Sequence, residues 1–290
     1  MTLSEAIISQ KFIITCELAP PKGTDVSSVI QIAKQLNTLV DAVNLTDGQG
    51  GNMRMCPLAA ASFLLKEGLD VIWQVTCRDR NRIALQADCL GASAIGIKNV
   101  LPMKGDDPKA GDHPEAKGVF DLDTTELIKM LSKLNSGFDM SGKELKGKTN
   151  FSIGCTAHPN SPDLKKQREL LEQRFELGAS FIQTQICYEV DQIKKFLDSL
   201  GDLARKTIVG ITPLKNLKMA SYMNEKVFGV TVPDETIKRL ENSKDQQIEG
   251  LNLAKEIVSH LKKTNVGGIH VMAVGQESVL PSIINFLTKQ

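Results

Sequence analysis

Residues 151–186 read FSIGCTAHPNSPDLKKQRELLEQRFELGASFIQTQI and contain one complete strand, helix and strand unit. FSIGCTA and FIQTQI are short runs of apolar and β-branched residues, which are typical of parallel strands covered on both faces. Between the two runs, Pro162 and Asp163 mark the start of a helix and Gly178 marks its end. The stretch therefore predicts a parallel β-α-β unit.

The same kind of unit recurs along the whole chain. Amphipathic segments alternate with eight apolar runs: FIITCEL (12–18), AVNLTD (42–47), VIWQVTC (71–77), AIGIKNV (94–100), FSIGCTA (151–157), FIQTQI (181–186), TIVGITP (207–213) and GIHVMAV (268–274). Eight such units in 290 residues predict an α/β protein with a (β/α)8 TIM-barrel fold, in which residues 1–290 form a single catalytic domain.

Two insertions interrupt the regular spacing, an extra loop at about 136–150 and an extra helical segment at about 234–263. A doubly wound sheet is the alternative fold. Its commonest dinucleotide signal is a glycine fingerprint after the first strand, where this chain instead has ELAPPKG.

Composition limits the classes of partner. The chain has 35 basic and 34 acidic residues, so it has no long-range field that would attract nucleic acid or an anionic membrane. It shows neither a signal-peptide pattern nor the roughly 20 apolar residues of a membrane span, so we expect a cytoplasmic protein. The six cysteines lack the spacing of metal ligands, so we expect reduced thiols and no bound metal.

Polar residues at the ends of the predicted strands are the candidates for chemistry, because active sites of such barrels lie there. Glu17 ends strand one before two prolines, and a carboxyl group in a partly apolar pocket suits general-acid catalysis. A salt bridge at the barrel end is the alternative. Asp106 lies in the loop MKGDDP, where turn capping is the alternative role.

Other candidates carry weaker signals. Gln183 and Gln185 are two positions apart on strand six, so we expect both on the same face, with one or both contacting a ligand. His158 has no second ligand at metal spacing, which favours a packed or ligand-stacking ring. Met219 and Met223 fit core or groove positions of a helix. The loop NLTDGQGG resembles a phosphate cradle, but this signal is weak alone.

Six motifs in chain order resemble the methylenetetrahydrofolate reductase family. They are CELAPPKG, NLTDG, NVLPMKGDDP, FSIGCTAHPNSP, GASFIQTQ and GITPLKN, and together they span almost the whole chain. The resemblance is to the flavin-dependent bacterial type, including its acetogen-like branch. It implies an oxidoreductase of one-carbon metabolism and methionine biosynthesis that reduces 5,10-methylenetetrahydrofolate to 5-methyltetrahydrofolate by hydride transfer from reduced flavin.

The resemblance also implies roles for single residues. The family's catalytic acid falls on Glu17, which would protonate folate N5, and its catalytic aspartate falls on Asp106. Positions that bind the substrate fall on Asp106, Gln185, Met219 and Gln276. Positions that bind the flavin fall on Thr46, Asp47, Gln49, Gln74, Lys104, Gly105, Asp106, His158 and Arg174. We expect FAD as the cofactor in preference to FMN, with Lys104 and Arg174 supplying positive charge for its phosphate.

Several positions depart from the better-known bacterial pattern. Gln74, Lys104, His158 and Met223 stand where that pattern has histidine, arginine, tyrosine and phenylalanine, and Gln276 stands where an arginine would assist folate binding. Because Gln74 and Met223 fall where a nicotinamide would have to stack, we expect the isolated chain to oxidise NADH or NADPH poorly.

Two alternatives to a complete reductase stay open. One is a redox-free, pterin-binding methyltransferase barrel, and the other is a flavin-carrying subunit that receives electrons from a partner protein. The sequence is also compatible with a homo-oligomer.

Overall fold

The chain folds into a closed barrel of eight parallel strands surrounded by helices. A computed structural model describes residues 3–9 and 11–289. Each strand pairs with the next in chain order and the last pairs with the first, which confirms the (β/α)8 prediction. The strands are β1 (Ile13–Leu18), β2 (Ala42–Leu45), β3 (Val71–Thr76), β4 (Asn99–Met103), β5 (Ser152–Ala157), β6 (Ala179–Ile186), β7 (Thr207–Ile211) and β8 (Gly268–Val271).

The helices form the outer layer of the barrel or cover one of its ends. They are α1 (Leu3–Ile8), α2 (Ser27–Leu36), α3 (Pro57–Lys66), α4 (Arg82–Ala94), α5 (Thr124–Asn135), α6 (Leu164–Glu176), α7 (Val190–Leu200), α8 (Leu217–Lys226), α9 (Asp234–Asn242), α10 (Gln246–Leu261) and α11 (Leu280–Thr288). Within the described ranges, none of these helices combines the length and the apolar character that a membrane crossing requires.

One predicted strand is misplaced. The run predicted at 94–100 starts at the last residue of α4, and β4 is Asn99–Met103 instead. Gly96 follows the end of α4 with a φ of +97°, a left-handed conformation that suits glycine after a helix. The β4–β5 pairing reaches only Val100, so the missing N–H of Pro102 leaves no gap in that ladder.

Helix α6 shows how local sequence places a helix between two strands. Asp163 caps its N-terminus by accepting the backbone N–H of Lys166 at 2.9 Å. Leu171 is fully buried on the inner face of the helix. Gly178 ends the unit at a φ of +112°, and a Cβ there would lie 2.8 Å from Ser132 Oγ. The chain therefore turns directly from α6 into β6.

Two segments extend the basic barrel. Between α5 and β5, an antiparallel bridge joins Phe138 to Glu144. Between β7 and β8, α9 and α10 are two separate helices, and Arg239 of α9 pairs with Glu249 and Glu256 of α10. These ion pairs hold the two helices together on the outside of the barrel.

The lower half of the barrel interior, near the amino ends of the strands, is an apolar cluster. Its buried members are Leu3, Ala6, Ile13, Ala42, Ile72, Leu101, Phe181 and Ile208. Gly154 makes room for the ring of Phe181, since a Cβ there would lie 2.6 Å from the ring Cζ. Because α1 contributes to this packing, the lower end is closed, and a ligand would enter from the carboxyl ends of the strands.

Candidate active site

Glu17 lies on β1 in the upper half of the barrel interior. Gln74 of β3 donates from Nε2 to Glu17 Oε2 at 3.2 Å. The Nε2 atom of His270 on β8 lies 4.0 Å from the same oxygen. Among the ion pairs of the described residues, Glu17 has no lysine or arginine partner, which argues against the salt-bridge alternative. The carboxyl group is therefore held between an amide and an imidazole.

Three buried polar side chains form a network with His270 beneath Glu17. His270 Nδ1 lies 2.9 Å from Thr15 Oγ1, and Gln183 Nε2 donates to Thr15 Oγ1 at 3.3 Å. Gln183 also exchanges two hydrogen bonds with Asn44, at 3.2 and 2.7 Å. Thr15, Asn44, Gln183 and His270 are each at most 3% exposed. Buried polar groups in proteins are normally paired, and this network satisfies the rule.

Gln183 and Gln185 do not share surroundings, although strand alternation predicts one face for both. The register between β6 and β7 is irregular between Gln183 and Ile186. Within this irregular stretch, Gln185 accepts the backbone N–H of Ile186 at 3.0 Å and donates to the carbonyl of Phe228 at 3.2 Å. Gln183 is thus bonded within the barrel, whereas Gln185 reaches the loop after α8.

The loops after β2 and β4 are joined. Asp106 accepts the backbone N–H of Gly50 at 2.8 Å through Oδ2. The two loops approach so closely that a Cβ on Gly111 would lie 1.9 Å from the carbonyl oxygen of Gly51. The Gly50 amide is therefore occupied by Asp106 and is not available as part of a phosphate cradle. Gln49 and Lys104 are exposed on these two loops.

Two arginines that the sequence patterns did not point to lie under these loops. Arg78 donates to the carbonyl of Gly48 at 2.9 Å and to that of Asp47 at 3.3 Å. Arg80 pairs with the Asp47 carboxylate, which also accepts the backbone N–H and the hydroxyl of Thr76, each at 2.9 Å. The Asp47 carboxylate is thus engaged within the protein. The alternation of arginine and aspartate directly after β3 is the signal that could have identified both arginines.

Several buried polar atoms around the barrel mouth lack a protein partner. They are Thr46 Oγ1, His158 Nδ1, Arg174 Nε, Thr212 Oγ1 and Gln276 Nε2. Burial lowers the pKa of His158 and also that of Arg174. An unmatched buried donor or acceptor carries a desolvation cost, and a polar ligand that pairs with it removes that cost. These atoms are therefore candidate partners for a polar ligand.

Met223 occupies the core position that its place on a helix predicted, and the structure overturns only the expectation that it lies where a nicotinamide would stack. This side chain is fully buried in a cluster with Val230 and Leu240, so it offers no surface to a stacked ring. Phe228, a residue missed at the sequence level, is instead 86% exposed and lies edge-on to His158 with ring centroids 6.1 Å apart. The exposed aromatic surface on this side of the mouth thus comes from the loop after α8.

The remaining predicted positions lie near these features. Met219 on α8 is half-buried, and its sulfur accepts the backbone N–H of Lys215 at 3.4 Å. Gln276 follows β8 and is buried, with Gln247 of α10 at 3.5 Å from its Oε1. Within the part of the chain that the structure describes, no group of three metal-ligating side chains occurs.

Comparisons with known proteins agree with this architecture. The chain is 25% identical to methylenetetrahydrofolate reductase 2 of Schizosaccharomyces pombe, over 94% of this chain and 45% of that protein. It is 21% identical to 5,10-methylenetetrahydrofolate reductase of Pectobacterium carotovorum, over 94% and 89% of the two chains. Tryptophan synthase of Mycobacterium tuberculosis superposes with a TM-score of 0.55 at 11% identity, over 98% and 96% of the chains, which supports the fold alone.

The chain spans less than half of the length of several eukaryotic relatives, which include proteins named for NADPH in Caenorhabditis elegans and for NADH in Oryza sativa. The family model described as methylenetetrahydrofolate reductase nevertheless matches residues 2–288. This match covers both ends of the barrel and every strand that contributes to the site. The chain therefore belongs to the methylenetetrahydrofolate reductase family.

Proposed function

We propose that this chain reduces 5,10-methylenetetrahydrofolate to 5-methyltetrahydrofolate with the help of a bound flavin. The observation that carries the proposal is the position of Glu17 inside the barrel mouth, with Gln74 at 3.2 Å and His270 at 4.0 Å. Glu17 would deliver its proton to N10 and not to N5 as expected above, because the product keeps its methyl group on N5. The bond between N10 and the one-carbon unit then breaks, which opens the five-membered ring and leaves an iminium cation at N5. That cation is the acceptor for hydride.

Asp106 would stabilise this cation. It is an exposed carboxylate on the loop after β4, and its bond to the Gly50 amide limits its position. A fixed negative charge near a developing positive charge lowers the barrier, because little reorganisation is needed during the reaction. We further propose that Gln185, Met219 and Gln276 contact the folate, since they lie on the β6, β7 and β8 side of the mouth.

The residues at the mouth fit a flavin. Thr46, His158 and Arg174 each present a buried polar atom that no protein group satisfies. Gly105 has a φ of +86°, and a Cβ there would lie 2.9 Å from Arg78 Cβ, so only glycine keeps this loop close to β3. When bound, the flavin supplies the hydride chemistry, while the protein supplies orientation and electrostatics.

We propose that the flavin is FAD in preference to FMN, and that Arg174 and Lys104 supply positive charge for its phosphate. Gln49 and Gln74 are further proposed contacts. Asp47 would act indirectly, because its carboxylate is already bonded to Thr76 and Arg80.

For the electron donor, the burial of Met223 removes one of two arguments against direct oxidation of a nicotinamide. The second argument still holds: Gln74 has a neutral amide where the bacterial pattern has a histidine, and this amide is bonded to Glu17. We therefore propose that the isolated chain oxidises NADH and NADPH slowly and that a partner subunit is the natural donor. Steady-state turnover with NADH, NADPH and reduced viologen tests this, and rapid turnover at micromolar KM with NADH contradicts it.

The visible spectrum of the purified protein tests the flavin. We expect a yellow protein that bleaches with dithionite and then reduces methylenetetrahydrofolate. A colourless protein that takes up neither FAD nor FMN would overturn the proposed reductase and support the methyltransferase alternative.

A further inference from the structure

Arg78 is a buried cation for which the proposed reaction has no stated use. It lies just beyond the end of β3 and is 5% exposed. Its Nε and Nη2 atoms donate to the Asp79 carboxylate at 2.8 and 2.7 Å. Nη1 donates to the carbonyl of Gly48 at 2.9 Å, and Nη2 also donates to that of Asp47 at 3.3 Å. Four of the five N–H groups of this side chain therefore have partners within the protein.

The bonds to the carbonyl groups connect separate parts of the barrel, whereas the ion pair does not. Asp79 is the next residue in the chain, so its pairing with Arg78 joins no distant elements and only orients the guanidinium. Gly48 and Asp47 are 30 and 31 positions away, on the loop after β2. The guanidinium thus fastens that loop to the end of β3.

The turn that Arg78 contacts has little stiffness of its own. Residues 47–51 read DGQGG, and Gly48, Gly50 and Gly51 have φ values of +59°, +68° and +74°. Glycine adopts this left-handed conformation easily but also leaves it easily. A Cβ on Gly48 would lie 2.3 Å from Arg78 Nη2, so the turn lies directly on the guanidinium. The order of the turn therefore depends on contacts from outside it.

Arg78 also lies against the loop that carries Asp106. A Cβ on Gly105 would lie 2.9 Å from Arg78 Cβ, and the Arg78 carbonyl accepts the backbone N–H of Val119 at 2.6 Å. The turn and this loop meet where the Gly50 amide donates to Asp106 Oδ2 at 2.8 Å. Among the hydrogen bonds of the described residues, Oδ1 of Asp106 has no partner, which leaves this oxygen to a ligand.

We propose that Arg78, oriented by Asp79, holds the turn at 47–51 and thereby positions the Asp106 carboxylate. The role in catalysis rests on the proposed function, in which Asp106 stabilises the folate cation. A carboxylate that is fixed before the reaction needs little reorganisation when the positive charge develops. Arg78 is a positioning residue, because it acts through the Gly50 amide and Asp106. A lysine could not replace it, since an ammonium group lacks the planar fork that bonds a carboxylate and two carbonyl groups together.

Hydrogen exchange of the Gly50 amide in flavin-free protein tests the positioning step directly. In Arg78→Gln, the shorter side chain cannot bond Asp79 and the turn together. We expect the Gly50 amide to exchange at least about tenfold faster than in the wild type, with the amides of β5 to β8 unchanged. Asp79→Ala changes a half-exposed side chain, so we expect this variant to fold and to show a smaller acceleration at Gly50.

The matched control for the exchange experiment is Arg82→Gln. Arg82 makes the same kind of two-bond contact with Asp121, at 2.8 and 3.0 Å, but it is half-exposed and has no bond to the turn. We expect wild-type exchange at Gly50 in this variant. Equal Gly50 exchange in Arg78→Gln and the wild type would overturn the proposal. An acceleration spread evenly over the whole barrel would also overturn it, because Arg78 would then serve general stability.

A double-mutant cycle tests the link from Arg78 to catalysis. With saturating flavin and reduced viologen as donor, Arg78→Gln should slow the folate half-reaction about tenfold. Added to Asp106→Asn, the same change should slow it by less than about twofold more, because no charge is left to position. Full multiplication of the two effects would contradict the proposal, since Arg78 would then act independently of Asp106.

The two experiments fail for different reasons. Should the wild-type chain fail to reduce folate with any donor, the proposed function fails. Hydrogen exchange at Gly50 still decides whether Arg78 holds the turn in that case, because it needs neither flavin nor folate.

Discussion

The lower half of the barrel interior is packed with apolar side chains beneath α1, whereas the upper half holds hydroxyl, amide, imidazole and carboxyl groups. Both halves are lined by the same strands, often two residues apart, as with Ile13 and Thr15 of β1. In the upper half, the deep groups are paired with each other, but atoms nearer the mouth, such as Thr46 Oγ1, are unmatched. The comparison teaches that the lower half supplies stability and that the upper half is arranged for a ligand.

The largest expected effect on stability comes from disrupting the packing in the lower half of the barrel interior. Phe181→Ala removes a fully buried ring that fills the space over Gly154. We expect the free energy of unfolding to fall by about 3–5 kcal/mol, the usual cost of a cavity of this size. Urea denaturation measures the change. The matched control is Phe228→Ala, for which the ring is 86% exposed and we expect a change within about 0.5 kcal/mol. Equal losses in the two variants would contradict this assignment of stability to the lower half.

In the upper half, Glu17→Gln should remove activity without removing the fold. The amide keeps the shape of the side chain and a hydrogen-bond partner for Gln74, but it cannot deliver a proton. We expect folate reduction to fall at least about a hundredfold, with flavin content and the urea midpoint little changed. Near-normal folate turnover in this variant would exclude Glu17 as the acid.

Two substitutions at Asp106 separate charge from loop geometry. Asp106→Asn keeps an oxygen that can accept the Gly50 N–H, whereas Asp106→Ala removes both this acceptor and the charge. If the charge stabilises the folate cation, the asparagine variant should slow folate reduction about tenfold while flavin reduction stays nearly normal. Stopped-flow measurement of the two half-reactions checks this. A slow alanine variant beside a normal asparagine variant would assign the residue to the loop instead.

The smallest effect concerns the pH dependence of stability. Burial, with a contribution from Arg174, lowers the pKa of His158 below its ordinary value of 6.5. The folded protein therefore binds this proton less readily than the unfolded chain, so wild-type stability should decline as pH falls through about 6.5. His158→Gln should make this acid limb shallower. Urea midpoints of flavin-free protein at several pH values measure it, and parallel curves for the two proteins would show that His158 makes no such contribution.

Much of the fold and the positions of the central acids could be predicted from sequence. Strands covered on both faces leave continuous apolar runs, so the eight units are visible without a structure. Glu17 and Asp106 stand out because they follow such runs. The start of β4 was missed because the apolar end of α4 continues almost directly into the strand.

The remaining features depend on contacts between distant parts of the chain. Gln183 could not be assigned to the interior network, because its partner Asn44 is 139 positions away. Met223 looked like a site residue by motif, but packing against the segment around α9 buries it. The unpaired Thr46 hydroxyl is likewise visible only once every neighbouring donor and acceptor is known.

The barrel closes between β1 and β8, and Thr15 faces His270 across this seam although 255 positions separate them in the chain. During synthesis on a ribosome, Glu17 leaves the exit tunnel well before His270, because strands β2 to β7 lie between them in the chain. The acid and its partner can meet only after the final strand has docked against the first. A nascent chain or a fragment that lacks β8 would hold Glu17 without the His270 ring, so a site that contains both side chains exists only once the whole barrel has closed.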